Sequence, residues 1–365
     1  MRWLLIFMTF SLVAYSNRTA APILPSALSI GTNRTVFVGT TRVEEIDRTF
    51  GIRRSPHLQL LELDISIPPN RDAGTISDGQ DKPNPQKDFV IMAREYFGSL
   101  ASVQQRLRQL FLRTASAKRE VTVFVHGYNN SFADAAFRIA QLSEDLNLPG
   151  AAATYAWPSR GHPLGYEYDS DSSALFARDG LQKLLEAIHN SGANHIVVVA
   201  HSMGSHLLMK SMRQIELSKP GWTSQNLSGV ILFSPDVNAD FFRSQTSVFK
   251  KLPEPFVIFS SQSDRFLQLS AGLRWEKERL GRLKDVSKFA DLPIDFVDVS
   301  AFTDGVNGNH FIAGNSASLL ALLKSAARLD ESFVAGNTSS AIGLPGRRRI
   351  LRNATELVVV PSGGR

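Results

Sequence analysis

The 365-residue sequence contains no cysteine. This absence excludes disulfides, thiolate metal sites, a cysteine nucleophile and the attachment of a lipid to cysteine. The sequence also lacks a phosphate-cradling glycine loop of the usual form, a cluster of residues with metal-ligand spacing, and aromatic residues interleaved with basic ones. We therefore expect no metal, no cofactor and no nucleic-acid partner.

The excess of positive charge is small outside the C-terminal end, although the net charge of the whole chain is +6. Residues 344–365 carry five arginines and one glutamate, which supply +4 and leave +2 for the rest of the chain. A nearly neutral body offers no basic surface of the kind that binds nucleic acid. After residue 330 the composition turns to Gly, Ser, Asn and Arg, so we predict a flexible basic tail over residues 331–365.

The N-terminus holds an apolar block, residues 3–15, directly behind Arg2. The block is short for a bilayer span, and the small residues Ala14 and Ser16 follow the pattern of an export signal. We predict a signal peptide over residues 1–16, with an uncleaved membrane anchor as the alternative, and a linker over residues 17–33. The chain would then be exported, to the periplasm or outside the cell. Its N-terminal segment or basic tail would be the place of peripheral membrane contact.

Between these ends, residues 34–330 alternate short strand-like runs with segments of helical spacing. The pattern predicts strands at 35–40, 58–67, 89–92, 121–125, 151–156, 196–200, 230–233, 256–260 and, as the last, 294–299. It predicts helices after a cap at Ser99 and at 131–146, 173–189, 205–214 and 315–328, with Ser131 and Asp134 as a capping pair at the start of the second. Alternation of this kind is typical of one α/β domain with a mostly parallel central sheet and helices on both faces.

The motif that organises the chain is HIVVVAHSMGSH, residues 195–206. A buried strand runs into Ser202, and a helix begins at once, which is the pattern of a nucleophile elbow. The tight turn requires small residues, and Ala200 and Gly204 meet this requirement, although the usual motif has glycine at the first position. The turn lifts the serine oxygen to the edge of the sheet and leaves the Met203 N–H facing the same point, as a candidate oxyanion donor.

A nucleophilic serine needs a base, and the base needs an acid to orient it. His310 is the only histidine after the elbow helix, and it lies between the last predicted strand and the closing helix. Asp264 and Asp236 each follow a predicted strand. We prefer Asp264 as the acid because it follows the penultimate strand, the usual place in this topology. Asp236 is the alternative acid.

The loop after strand 121–125 is the candidate source of the second oxyanion donor. Gly127 lets the backbone pass close to the site, and the Tyr128 N–H can point inward. Trp157, at the end of strand 151–156, either lines a substrate pocket or covers the edge of the sheet. For His126 and His201 we predict packing roles.

Five motifs resemble the pattern of a bacterial α/β-hydrolase family of unknown function in the esterase/lipase superfamily. They are HGYNN at 126–130, YAWPS at 155–159, HSMG at 201–204, SPDV at 234–237 and SQSD at 261–264. The resemblance spans about residues 36–329. It implies a Ser–Asp–His hydrolase fold, with Ser202, Asp264 and His310 at the matching positions, and it implies no substrate.

The sequence thus predicts an exported serine hydrolase that cleaves an ester-like acyl bond of a small-molecule or lipid-like substrate through an acyl-enzyme. Amidase, thioesterase or acyltransferase chemistry would use the same residues. The alternative is a catalytically silent scaffold or binding protein of the same fold. That alternative requires the His310 loop to lie away from Ser202.

Overall fold

The computed structural model describes residues 21–46, 48–114, 119–160, 165–273, 278–303, 309–324, 344 and 347–360. The predicted signal segment, residues 1–16, lies outside this range. In the described part of the chain no helix is both long and apolar enough to cross a membrane.

A mixed sheet of eleven strands runs through the described residues, in the order β10-β11-β9-β8-β7-β6-β4-β5-β1-β2-β3. In chain order the strands are β1 (Thr32–Glu44), β2 (Phe50–Ile67), β3 (Val90–Phe97), β4 (Glu120–Val125), β5 (Ala151–Ala156), β6 (His195–His201), β7 (Gly229–Phe233), β8 (Phe256–Ser260), β9 (Asp295–Asp298), β10 (Arg347–Leu351) and β11 (Ala354–Val358). Neighbours from β11 through to β1 are parallel, whereas β2 and β10 are antiparallel to the strands beside them.

Helices cover both faces of this sheet, which confirms the predicted fold class. They are α1 (Leu100–Leu112), α2 (Phe132–Leu146), α3 (Tyr166–Tyr168), α4 (Ala174–Asn190), α5 (Met203–Ser218), α6 (Trp222–Asn226), α7 (Ala239–Thr246), α8 (Arg265–Leu273) and α9 (Ile312–Asn315), and residues 317–324 are also helical. Helices α1, α4, α5 and α7 share one apolar core, and α2, α9 and residues 319–320 share the other. The sheet separates the two because its side chains alternate, as Val123 and Phe124 of β4 show.

The prediction of a flexible tail over residues 331–365 is wrong for residues 347–360, and strand 294–299 is not the last. Strands β10 and β11 form an antiparallel hairpin, and β11 extends the sheet by pairing in parallel with β9. The buried side chains of Ala354, Leu357 and Val359 supply the apolar contacts that hold the hairpin. The arginines stand on β10, at the edge of the sheet, where charged side chains are tolerated and discourage pairing with other strands.

The predicted linker is also wrong for its described residues, 21–33. Residues Pro25–Ser29 form a 3-10 turn that packs on the β2–β3 edge. The Leu24 N–H donates to the Ile91 carbonyl oxygen at 2.8 Å, and the Ser66 hydroxyl donates to that of Ala27 at 3.2 Å. Ala27 is fully buried. These contacts make the segment part of the folded unit.

Candidate active site

Ser202 occupies the turn between β6 and α5, as the elbow motif predicts. Its φ is +52° and its ψ −121°, a strained conformation for a residue with a side chain. The turn is held because the Ser202 N–H donates to the Phe233 carbonyl oxygen at 3.0 Å, and the Ser205 N–H donates to the Ser202 carbonyl oxygen at 3.0 Å. The serine is almost fully buried, at 1% exposure.

The elbow requires a glycine at position 204 because a Cβ there would lie 2.4 Å from the carbonyl oxygens of Val125 and His126. We expect Gly204→Ala to lower the free energy of unfolding by about 1–3 kcal/mol, since the backbone must move to relieve the overlap. Gly272→Ala is the matched control in α8: in the described residues nothing lies within 4 Å of the new Cβ. That change should be neutral or stabilising by up to about 1 kcal/mol. Urea unfolding of the two variants tests the difference, and equal midpoints would contradict it.

His310 bridges Ser202 and Asp264. The Ser202 hydroxyl lies 2.8 Å from Nε2 of His310, and Nδ1 of His310 lies 2.8 Å from Oδ2 of Asp264. The Asp264 side chain is fully buried, and its other oxygen accepts the Leu267 N–H at 2.9 Å at the start of α8. This geometry places Nδ1–H toward the carboxylate and leaves Nε2 to accept the serine proton.

Asp236, the alternative acid, lies beside the elbow but is engaged elsewhere. Its N–H donates to the Ser202 carbonyl oxygen at 3.2 Å. Its buried carboxylate accepts a hydrogen bond from the Tyr166 hydroxyl and one from the Ser270 hydroxyl at 3.0 Å, and it pairs with Arg279 at 3.2 Å. The structure therefore brings Asp264, and not Asp236, to His310.

Two aromatic rings hold the His310 imidazole from outside the triad. The Phe266 ring lies 4.4 Å from it and the His201 ring 4.8 Å, measured between ring centres. His201 Nε2–H donates to the His310 carbonyl oxygen at 3.3 Å. Burial, with the nearby His310 as the second cause, holds the pKa of His201 well below its usual range. His201 therefore packs as a neutral ring, against His310 and Phe311.

The loop of residues 126–130 lies against the elbow. A Cβ on Gly127 would be 3.0 Å from the Ser202 Cβ, so only a bare backbone fits there. The loop is fixed from below: the Trp157 Nε1–H donates to the His126 carbonyl oxygen at 2.7 Å. The guanidinium group of Arg42, which is fully buried, donates to the Asn130 carbonyl oxygen at 2.7 Å. These contacts hold Gly127 against the serine, and the role of the adjacent Tyr128 N–H as the second oxyanion donor stays a prediction.

A buried carboxylate extends this support, and sequence reasoning missed it. The Asn129 N–H donates to the Ser159 hydroxyl at 3.0 Å, and that hydroxyl donates to Asp169 at 2.8 Å. Asp169 also accepts the Arg160 N–H and the Ser173 hydroxyl, both at 2.8 Å. Burial raises the pKa of Asp169 above its ordinary value. The sequence offered a signal for Arg42, which is a charged residue within a mostly apolar stretch of β1. It offered none for Asp169, which lies in the polar stretch of residues 166–173.

Trp157 does not line an open pocket, so this alternative for its role is wrong. The side chain is fully buried, and its ring stacks on that of His126 with the ring centres 5.1 Å apart. Trp157 thus covers the end of the sheet and supports the loop above it. His126 also has the packing role predicted for it, because its Nδ1–H donates to the Gly127 carbonyl oxygen at 2.8 Å.

Burial lowers the pKa of His126 to about 3 from 6.5, with the nearby Arg42 as the second cause. Below pH 6.5 the unfolded chain binds a proton here and the folded chain does not, so stability is lost as the pH falls toward 3. We expect His126→Asn to flatten the pH dependence of the free energy of unfolding by up to about 1.4 kcal/mol per pH unit in this range. Urea unfolding at several pH values measures both slopes. Parallel slopes would contradict the assignment.

The described residues contain no group of three His, Asp or Glu side chains that could hold a metal ion. The predicted absence of a metal and of a cofactor stays a prediction.

The mostly parallel sheet, with helices on both faces and a serine at a strand-to-helix elbow, defines an α/β hydrolase. The chain belongs to the family described as alpha/beta hydrolase of unknown function (DUF900), whose model matches residues 100–326. The predicted resemblance to such a family is confirmed.

Comparison with solved structures gave matches of low identity. Trichoderma reesei cutinase in complex with a C11Y4 phosphonate inhibitor is 12% identical, with a TM-score of 0.29, and the match covers 46% of this chain and 78% of the cutinase. Aspergillus fumigatus lipase B is 13% identical, with a TM-score of 0.36, and the match covers 62% of this chain and 58% of the lipase. Comparison with curated proteins gave no match.

Proposed function

We propose that the protein is a serine hydrolase that cleaves an ester-like acyl bond through an acyl-enzyme. The observation that carries this proposal is His310, which lies 2.8 Å from the Ser202 hydroxyl and 2.8 Å from the buried Asp264 carboxylate. These three residues come from separate loops at one edge of the sheet. Their arrangement matches the roles of nucleophile, base and orienting acid.

In the acylation step the Ser202 oxygen attacks the carbonyl carbon of the ester, and its proton passes to Nε2 of His310. Asp264 stabilises the imidazolium that forms. The Met203 and Tyr128 N–H groups donate to the oxyanion of the tetrahedral intermediate. When the intermediate collapses, the bond to the alcohol oxygen breaks and His310 gives this oxygen the proton.

In the deacylation step water attacks the acyl-enzyme, and His310 takes one of its protons. Collapse of the second tetrahedral intermediate breaks the bond to the Ser202 oxygen, which recovers a proton from His310. The products are a carboxylic acid and an alcohol, and no cofactor takes part in these two reaction steps.

The alternative of a silent scaffold requires a His310 loop that lies away from the serine. The contact between His310 and Ser202 speaks against it, as does the strained Ser202 backbone, because strain of this kind collects at functional sites.

Hydrolysis of p-nitrophenyl acetate and p-nitrophenyl butyrate by the full chain tests the proposal. We expect the wild type to hydrolyse these esters well above the buffer rate and to show a burst of p-nitrophenol when acyl-enzyme accumulates. Ser202→Ala, with the same fold by circular dichroism, should fall to the buffer rate. Equal rates for the wild type and Ser202→Ala would overturn the proposal.

A further inference from the structure

Three aromatic side chains stand together beside the triad, and we call them the aromatic wall: Tyr128, Tyr166 and Phe266. The ring centres of Tyr128 and Phe266 are 6.4 Å apart, and Tyr166 meets the other two edge-on at 5.6 and 6.3 Å. Phe266 also touches the His310 imidazole. The wall therefore connects Tyr128, in the predicted oxyanion loop, with the His310 base.

The wall is only partly covered by protein. Tyr166 is buried, whereas Tyr128 and Phe266 are half-buried, and the His310 side chain beside them is 13% exposed. A bound substrate would remove this ring surface from water, which is favourable in proportion to the apolar area covered.

A buried carboxylate fixes the wall in place. The Asp236 carboxylate accepts hydrogen bonds from the hydroxyl groups of Tyr166 and Ser270. Ser270 lies on α8, one helical turn after Phe266. Arg279 neutralises this carboxylate in the interior. Burial and the adjacent Asp236 raise the pKa of Tyr166, so its hydroxyl keeps the proton that it donates. The buried Asp236 carboxylate thus positions the ring of Tyr166 directly and that of Phe266 through α8, before any substrate binds.

We propose that the aromatic wall binds an aromatic ring of the substrate, so that the natural substrate is an ester with an aryl group near the scissile bond. The proposal rests on the proposed function. Its physical basis is that aromatic rings pack best edge-to-face or offset, with ring centres 4.5–7 Å apart. The spacings within the wall lie in this range, and a ring placed on Tyr128 and Phe266 would continue the same packing. A saturated ring of equal size would gain only the free energy of burying apolar surface, without the aromatic ring–ring interaction.

Two pairs of esters test this without changing the reactivity of the leaving group. The first pair is 2-phenylethyl and 2-cyclohexylethyl acetate, and the second is methyl 3-phenylpropanoate and methyl 3-cyclohexylpropanoate. We expect wild-type kcat/KM to favour the aryl member of at least one pair by about tenfold. Phe266→Leu should reduce this preference to below about threefold. Phe176→Leu, at a partly exposed ring next to Arg54, is the matched control and should keep the wild-type preference.

Binding to Ser202→Ala, measured by calorimetry, separates this inference from the proposed function. The variant retains the wall and should bind the preferred aryl ester more tightly than its cyclohexyl partner, whether or not the wild type hydrolyses esters. An aryl preference in binding without any wild-type hydrolysis would refute only the proposed function. Equal kcat/KM values within both pairs, equal affinities for Ser202→Ala, or an aryl preference that survives in Phe266→Leu would overturn the aromatic wall as a substrate site.

Discussion

His310→Ala is expected to lower kcat for ester hydrolysis by about 10⁶-fold, to the level that Ser202→Ala leaves. The imidazole is the group that takes the serine proton, returns it to the leaving alcohol and then activates water, so its loss stops every step. Because serine and histidine act as a unit, the double variant should be no slower than either single variant.

His195→Ala is the control for this variant. His195 is exposed at the start of β6, where its Nδ1 lies 3.2 Å from the Ser228 hydroxyl, far along the strand from the elbow. We expect wild-type kcat for it. A His310→Ala enzyme that keeps more than about a hundredth of wild-type kcat would show that another group acts as the base.

Asp264→Asn is expected to lower kcat by about 10⁴-fold while the fold is kept. Asparagine has nearly the same shape, but its amide can donate to Nδ1, which favours the tautomer with the proton on Nε2. That tautomer cannot accept the serine proton. Loss of the carboxylate also removes the charge that stabilises the imidazolium.

Asp236→Asn gives the contrast, because this carboxylate contacts Tyr166, Ser270 and Arg279 instead of His310. We expect a small effect on kcat and a loss of several kcal/mol in the free energy of unfolding, since buried Arg279 loses its charge partner. Steady-state kinetics and urea unfolding of both variants measure the two effects. A folded Asp236→Asn variant that loses as much kcat as Asp264→Asn would contradict this assignment.

The parts of the fold and site that could be predicted are those with local physical causes. The periodicity of apolar residues predicted most of the strands of the sheet. The residue types at the helix starts predicted both capping serines, and Ser131 accepts the Asp134 N–H at 3.1 Å. The nucleophile elbow could be predicted because the tight turn at Ser202 requires small residues, and Ala200 and Gly204 meet this requirement. The order of strands then brought Asp264 and His310 to the same edge, where the structure places them.

The parts that were missed depend on contacts between distant segments. The arginines of β10 concealed a strand whose partner, β11, carries the buried side chains. The role of Trp157 in supporting the loop of residues 126–130 could not be predicted, because its contact residue His126 is 31 residues away in the sequence. Likewise, no local pattern in the sequence indicates that Asp236 and Asp169 would each tie together several segments around the site.

The most direct test of an activated Ser202 is labelling of the full-length wild type with a fluorophosphonate probe, with Ser202→Ala and His310→Ala in parallel. The predicted result is one label per wild-type chain, located on Ser202 by peptide mass spectrometry, and no label on either variant. Folded wild-type protein that takes no label would contradict the triad and leave the alternative of a silent scaffold. A label that persists in Ser202→Ala would also contradict the triad, because the reactive nucleophile would then be another residue.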